Sequence, residues 1–241
     1  MFGKKVTPTG GVSESGVQSV LHSMELGAWA VYIKGFLFVL LICALGLIYL
    51  IEQFRGLELP EAMDQAQIAR NVARGEGFTT KFIRPFSAWK MREISGDAKL
   101  KERHPDVFNP PLFVYTLATV FKSTGSNFEI KPVTNQLYTK FPPDTTVVCV
   151  CAFFFLASGA LVYVLARQLF DKRIAFIAAI LFLFSDLMWR FTFSGLSTTM
   201  LLFLFLGVQL CLVNAHMVAA QEEKKLLVWG CAAVAGVLCG L

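Results

Sequence analysis

The order of apolar and polar positions divides this chain before any single residue matters. Residues 1–23 are polar, rich in Gly, Ser and Thr and without a hydrophobic period, so a mobile cytoplasmic tail is expected there. They do not form a cleavable signal peptide, because the apolar run begins too late and lacks a small-residue cleavage site. Within 24–51, "GFLFVLLICALGLIYLI" at 35–51 predicts a first membrane helix, close to the roughly 20 apolar residues a bilayer requires. A long mixed stretch, 52–144, follows. The rest, 145–241, predicts helices two to five: "TTVVCVCAFFFLASGALVYVLA" (145–166), "IAFIAAILFLFSDLMW" (174–189), "TTMLLFLFLGVQLCLVNAHM" (198–217) and a last run at 226–241. That last run is still apolar where the sequence stops. The chain is therefore expected to be the N-terminal part of a longer protein.

The expected fold is all-α, a polytopic helical membrane protein whose large outer loop contains amphipathic and re-entrant helices. Basic residues orient it. Lys34 flanks the first helix, Lys4 and Lys5 lie in the tail, and Arg167, Lys172 and Arg173 join helices two and three, with Lys224 and Lys225 after helix four. All favour one side, so the N-terminus is expected in the cytoplasm and the loop outside.

The loop is where chemistry would concentrate, since spanning segments offer few reactive groups. In "PEAMDQAQIARNVARGEGFTT", Pro60 suits the first turn of a helix, and Glu61 and Asp64 suit its positive end. At 3.6 residues per turn, Glu61, Asp64, Ile68 and Asn71 share one stripe. Met63, Ala66, Ala69 and Ala73 form a packing stripe, and Gln67, Arg70 and Arg74 a third. Gly75 is expected to stop the helix and Gly77 to turn the chain. This amphipathic helix is expected at the outer membrane surface, with two carboxylates on one edge. A plainer reading also fits: the acids offset the helix dipole while the arginines touch lipid headgroups. Further on, "NPPLFVYTLATVF" places a Pro pair before an apolar run too short to span. It reads as a re-entrant or interfacial helix, or as a simple packing element.

Composition narrows the classes. The chain is 55% hydrophobic and 16% charged, against about a quarter charged in soluble domains. Its net charge of +5 forms no basic patch interleaved with aromatics, so no nucleic-acid partner is expected. Six cysteines all lie in apolar runs without CxxC or Cys/His spacing, so neither a metal site nor a disulfide framework is expected. No P-loop or GxGxxG points to a soluble nucleotide sugar, and no cofactor is implied.

With an acidic start at Glu61 and Asp64, "ARNVARGEGF" at 69–78, "NPPLFVYTLA" at 109–118 and "LVYVLARQLFDKRIAFIAAILFLFS" at 161–185, the chain resembles the GT-C superfamily of polyprenyl-phosphate-sugar-dependent glycosyltransferases. Relatives of that family include the protein O-mannosyltransferases and the lipid A aminoarabinose transferases. The resemblance implies a membrane glycosyltransferase in the cell envelope, in a bacterial inner membrane. It would move a sugar from a polyprenyl-phosphate carrier to an acceptor hydroxyl on the extracytoplasmic face. Asp64 or Glu61 would be the general base. Arg70, Arg74 and Arg84 are candidates for the phosphate, and His104 and Asn109 for further substrate contacts; Asp186 is a weaker acidic candidate. The family's adjacent Asp-Glu pair falls here on Glu61 and Ala62, with Asp64 two places on. Ser197, Thr198 and Thr199 stand where another acid is common, and Asn109 where a basic residue often precedes the Pro pair. The rival reading is a non-catalytic membrane scaffold that keeps the fold and binds membrane lipid or a partner membrane protein. A transporter has less behind it, because no broken-helix pair or internal repeat is visible in the sequence.

Overall fold

The computed structural model describes residues 28–95, 104–129, 141–219 and 225–240. The tail expected at 1–23 lies outside the described residues, as do the loop positions 96–103 and 130–140. The chain divides into two units, Met1–Ile48 and Tyr49–Leu241, the boundary falling within helix α1 (Ala28–Glu52). In the first unit, Phe36, Leu37, Val39, Leu40, Leu41 and Leu47 of α1 are exposed. Large apolar side chains left outward along a helix are what a hydrocarbon surround accepts and water does not.

The second unit is mostly helical. It contains α2 (Pro60–Ala73), α3 (Pro85–Ser95), α4 (Pro111–Ser123), α5 (Pro142–Leu169), α6 (Lys172–Leu183), α7 (Asp186–Phe193), α8 (Thr198–Ala219) and α9 (Lys225–Gly240). Among the described residues, three helices are long and apolar enough to cross a membrane, at Gly35–Glu52, Pro142–Leu169 and Thr198–Val218, or four if the α6–α7 pair counts as one span.

Two expectations need correction. The run at 174–189 is not one continuous helix: α6 and α7 meet at a 50° bend. The break falls at Phe184 and Ser185, where Ser185 has the extended backbone of an N-cap and Asp186 opens the next helix. Trp189 Nε1 donates to the Leu183 carbonyl at 2.8 Å, supplying a partner at the end of α6. A broken-helix pair is thus present, although hydropathy hid it. The all-helix expectation also missed a short antiparallel ribbon, β1 (Thr79–Thr80) with β2 (His104–Pro105), pairing Thr79 with Pro105 and Thr80 with His104.

The helix ends follow the chemistry of their residues. Proline occupies the first turn of α2, α4 and α5, where a missing N–H costs no helical bond. After α2, Gly75 takes a φ of 79°, its N–H donates to Val72 O, and Glu76 N–H donates to Asn71 O at 2.8 Å. This pair of bonds closes the helix in a Schellman turn. Gly77 also has a φ of 79°, as the expected turn requires.

Helix α2 packs along α4, and both rest on α5 through one core that contains Ile68, Phe113, Leu117, Phe121, Val147 and Val148, all essentially without exposure. Burial of each such side chain contributes roughly 1.5–3 kcal/mol. The expected packing stripe of α2 is displaced: Ala66 and Ala69 are buried, but Met63 is exposed, while Asp64, Ile68 and Asn71 face inward.

Gly195 joins α7 to α8 with a φ of 74°, and a Cβ there would collide with Leu57 and crowd Val147. Left-handed backbone and a missing side chain are both required. Gly195→Ala is therefore expected to destabilise the protein by about 2 kcal/mol or more. Thermal unfolding in lipid nanodiscs checks this; an unchanged midpoint would remove the constraint.

Candidate functional site

Helix α2 spreads its charged residues around its circumference. Six residues separate Asp64 from Arg70, a rotation of about 240° after whole turns are removed. The seven candidate residues consequently fall into two groups, with Glu61 left alone.

Asp64 faces inward and is 3% exposed. Its Oδ1 accepts from Thr80 Oγ1 at 2.5 Å, and its Oδ2 accepts from Asn109 Nδ2 at 2.9 Å. Arg84 Nη2 lies 3.4 Å from Oδ2. The arginine is itself clamped, its guanidinium carbon 3.5 Å from the Phe108 ring centre and 5.6 Å from that of Phe82. Nη1 of Arg84 is buried without a partner among the described residues. Asn109 is positioned in turn by Asp106, whose carboxylate accepts its backbone N–H at 2.8 Å. A buried carboxylate is tolerable only with such donors, and here they come from the ribbon, the approach to α3 and the entry to α4.

His104 pairs with Thr80 across the ribbon and is 2% exposed. Its Nε2 stands 3.0 Å from Ser87 Oγ, while Nδ1 is buried with no partner among the described residues. Glu61, by contrast, is exposed at the start of α2. The structure thus brings Asp64, Arg84 and Asn109 together, puts His104 next to them through Thr80, and leaves Glu61 out.

The second group lines a cavity of about 450 Å³. Gln67, Arg70 and Arg74 are the long polar side chains of its α2 wall, beside Asn71; Lys81, Phe128, Phe141 and Asp144 line it from other segments. Arg70 Nη1 is 3.9 Å from Asp144 Oδ1, and its guanidinium lies 5.4 Å from the Phe141 ring centre. Arg74 sits 5.0 Å from that of Phe128. Burial pushes the Arg70 pKa down, Asp144 opposes that shift, and the neighbouring Arg74 adds to it. Three cations around one half-buried acid leave a surplus of positive charge. Such a cavity can receive an anion with several oxygens.

A separate apolar groove of about 790 Å³ runs between α4 and α5, lined by Thr116, Val120, Thr124, Thr145, Cys149 and Phe153 among others. Groove and cavity use neighbouring stretches of chain: Thr124 and Phe128 after α4, and Phe141 to Thr146 at the start of α5. The polar chamber and the apolar groove therefore both draw lining residues from the start of α5, a helix long enough to span a membrane, without sharing any of them.

Asp186 lies at neither place. Its Oδ1 accepts from Tyr49 at 2.5 Å and its Oδ2 from Arg190 at 2.7 Å, all three on the exposed side of the α6–α7 bend.

Two residues of the cavity escaped sequence reasoning. Asp144 reads as the end of the loop, yet it stands in the first turn of α5 behind Pro142 and Pro143. A Pro pair followed by an acid is a helix-start signal that could have marked it. Lys81 follows the ribbon, and no local pattern announces its approach to α5. Compared with known protein families, curated proteins and solved structures, the chain matches none.

The buried carboxylate gives a direct stability test. Asp64→Ala strands Thr80, Asn109 and Arg84 together, and is expected to cost about 3 kcal/mol, the low end for a broken buried pair because Arg84 is partly exposed. Glu61→Ala is expected within about 0.5 kcal/mol of wild type. Unfolding midpoints in nanodiscs decide; equal effects would reject the clasp.

Proposed function

We propose that this chain is a multi-pass membrane glycosyltransferase of the GT-C type, taking a sugar from a polyprenyl-phosphate carrier to an acceptor hydroxyl. The observation that carries this reading is a cationic cavity and an apolar groove that both take lining residues from the start of α5. An amphiphile with a phosphate head and a long hydrocarbon tail matches both compartments. Arg70, Arg74 and Lys81 would take the negative charge that develops on the leaving phosphate. The tail would run along Val120, Val150 and Phe153.

The basic turn at Arg167, Lys172 and Arg173 supports an outer location for this chamber. It lies at the far end of the 28-residue α5, about 42 Å away at 1.5 Å per residue. With Lys/Arg favouring the cytoplasm, the N-terminus is inside and the cavity faces outward, in a bacterial inner membrane by the resemblance.

A carboxylate would accept the acceptor's proton. Asp64 is the base the resemblance favours, together with Glu61; Asp64 would have to release Arg84, its longest contact, to receive a hydroxyl. Asp144 is the carboxylate that already opens on the cavity.

One observation favours a second reading. Asp64 is fully engaged by three donors and Glu61 stands apart, which suits a non-catalytic scaffold that holds a lipid or a partner membrane protein without turning it over.

Transfer from a panel of polyprenyl-phosphate sugars, assayed with the protein in membranes, separates the two. The enzyme reading expects wild-type turnover, lowered about 10²–10³-fold by Arg70→Ala or Arg74→Ala. Asn or Gln at the true base among Asp64, Glu61 and Asp144 would lower it about 10²–10⁴-fold. Lipid-phosphate binding without turnover across the panel would establish the scaffold instead.

A further inference from the structure

A separate surface has no part in that reading. Next to Lys81 the chain turns outward, and Phe82, Ile83, Phe86 and Trp89 are 53%, 45%, 71% and 59% exposed. Phe86 and Trp89 share one face of α3, their rings 6.1 Å apart. Phe108, 65% exposed, joins the patch through the Arg84 guanidinium, which touches both its ring and that of Phe82. Three large aromatic rings thus stand outward on one short stretch, with Phe108 of a second segment beside them through Arg84. Lys90 and Arg92 are exposed on the same helix.

The position of Lys81 says what covers this patch. Lys81 lines the same cavity as Phe141 and Asp144, so the stretch that begins at Phe82 follows directly on a wall of the chamber at the N-terminal end of α5. At about 42 Å, α5 exceeds the roughly 30 Å hydrocarbon core, and its ends reach into the headgroup layers. Phe82 to Trp89 therefore starts at headgroup depth. Aromatic rings with flanking Lys and Arg are the side chains that favour that layer, rings toward the acyl chains and charges toward the phosphates.

We infer that α3 and the segment leading into it form an interfacial anchor, inserted by Phe82, Phe86 and Trp89 into the leaflet at the N-terminal end of α5. Its partner is the lipid surface itself. The anchor requires that α5 cross a bilayer; it requires no transferase activity.

Full-length protein carrying p-benzoyl-phenylalanine at one position is reconstituted into vesicles of phosphatidylethanolamine and phosphatidylglycerol, irradiated, and weighed as intact protein. Probes at Phe86 and Trp89 test the anchor, so misfolding of one leaves the other. Phe153, 64% exposed midway along α5, reports the span, and exposed Glu76 reports water. The anchor expects phospholipid adducts at 86 and 89 several-fold above position 76. Adducts at 153 without them at 86 and 89 overturn the anchor and leave the span intact. Crosslinks between two copies of the chain at 86 or 89, in place of lipid, overturn it in favour of a protein contact. Absence of lipid adducts at all four positions overturns both anchor and span.

Discussion

The organisation of the loop region depends on one carboxylate that has left water. Asp64 is buried on the inner face of α2, and a charge in that position demands partners. Thr80, Asn109 and Arg84 meet the demand, and each belongs to a different segment. By binding all three, Asp64 fixes the ribbon against α2, sets the entry to α4 and draws Arg84 under Phe108. Hydrophobic packing of α2 on α4 supplies most of the driving force, but it is non-directional. The carboxylate supplies the direction: only one placement of the three segments satisfies it.

Engagement of Asp64 on one face has a consequence for the other. Because Arg70 and Arg74 project away from the clasp, their charges are left to the cavity, opposed only by Asp144 among its lining residues. One helix thus separates two duties, a buried acid that holds the architecture and cations that face a chamber with one acid among them. A ligand the size of a phosphate group reaches one face of α2 and not both. The functional question therefore turns on which carboxylate meets an acceptor.

Membrane-length helices were legible because hydropathy is a local property, summed over about 20 neighbours whatever the rest of the chain does. The end of α2 was legible for a similar reason: Gly75 is a local requirement of left-handed backbone. The inward turn of Asp64 was not. An acid in the first turns of a helix reads as a dipole partner, and its donors lie 16 to 45 residues away. The break between α6 and α7 was masked by continuous hydrophobicity, although Ser185 and Asp186 together spell a helix start. A ribbon of two residues per strand is too short to show a period of two. Arg70, Arg74, Arg84 and Asn109 were legible as polar loop residues, but their division between two places needed the helix to be set against its neighbours.

The separation of Asp64 from Asn109 also sets an order of events during synthesis. Forty-five residues lie between the carboxylate and its farthest donor, and at about 5–20 residues per second these take roughly 2–9 s to make. Thr80 and Arg84 are made 16 and 20 residues after Asp64, but until Asn109 follows the carboxylate lacks its full set of donors and is held in water. α2 therefore waits, helical or not, as an undocked segment, and the apolar stretch of α4 is what it is waiting for. Burial of the charge is the closing event of the loop, timed by translation.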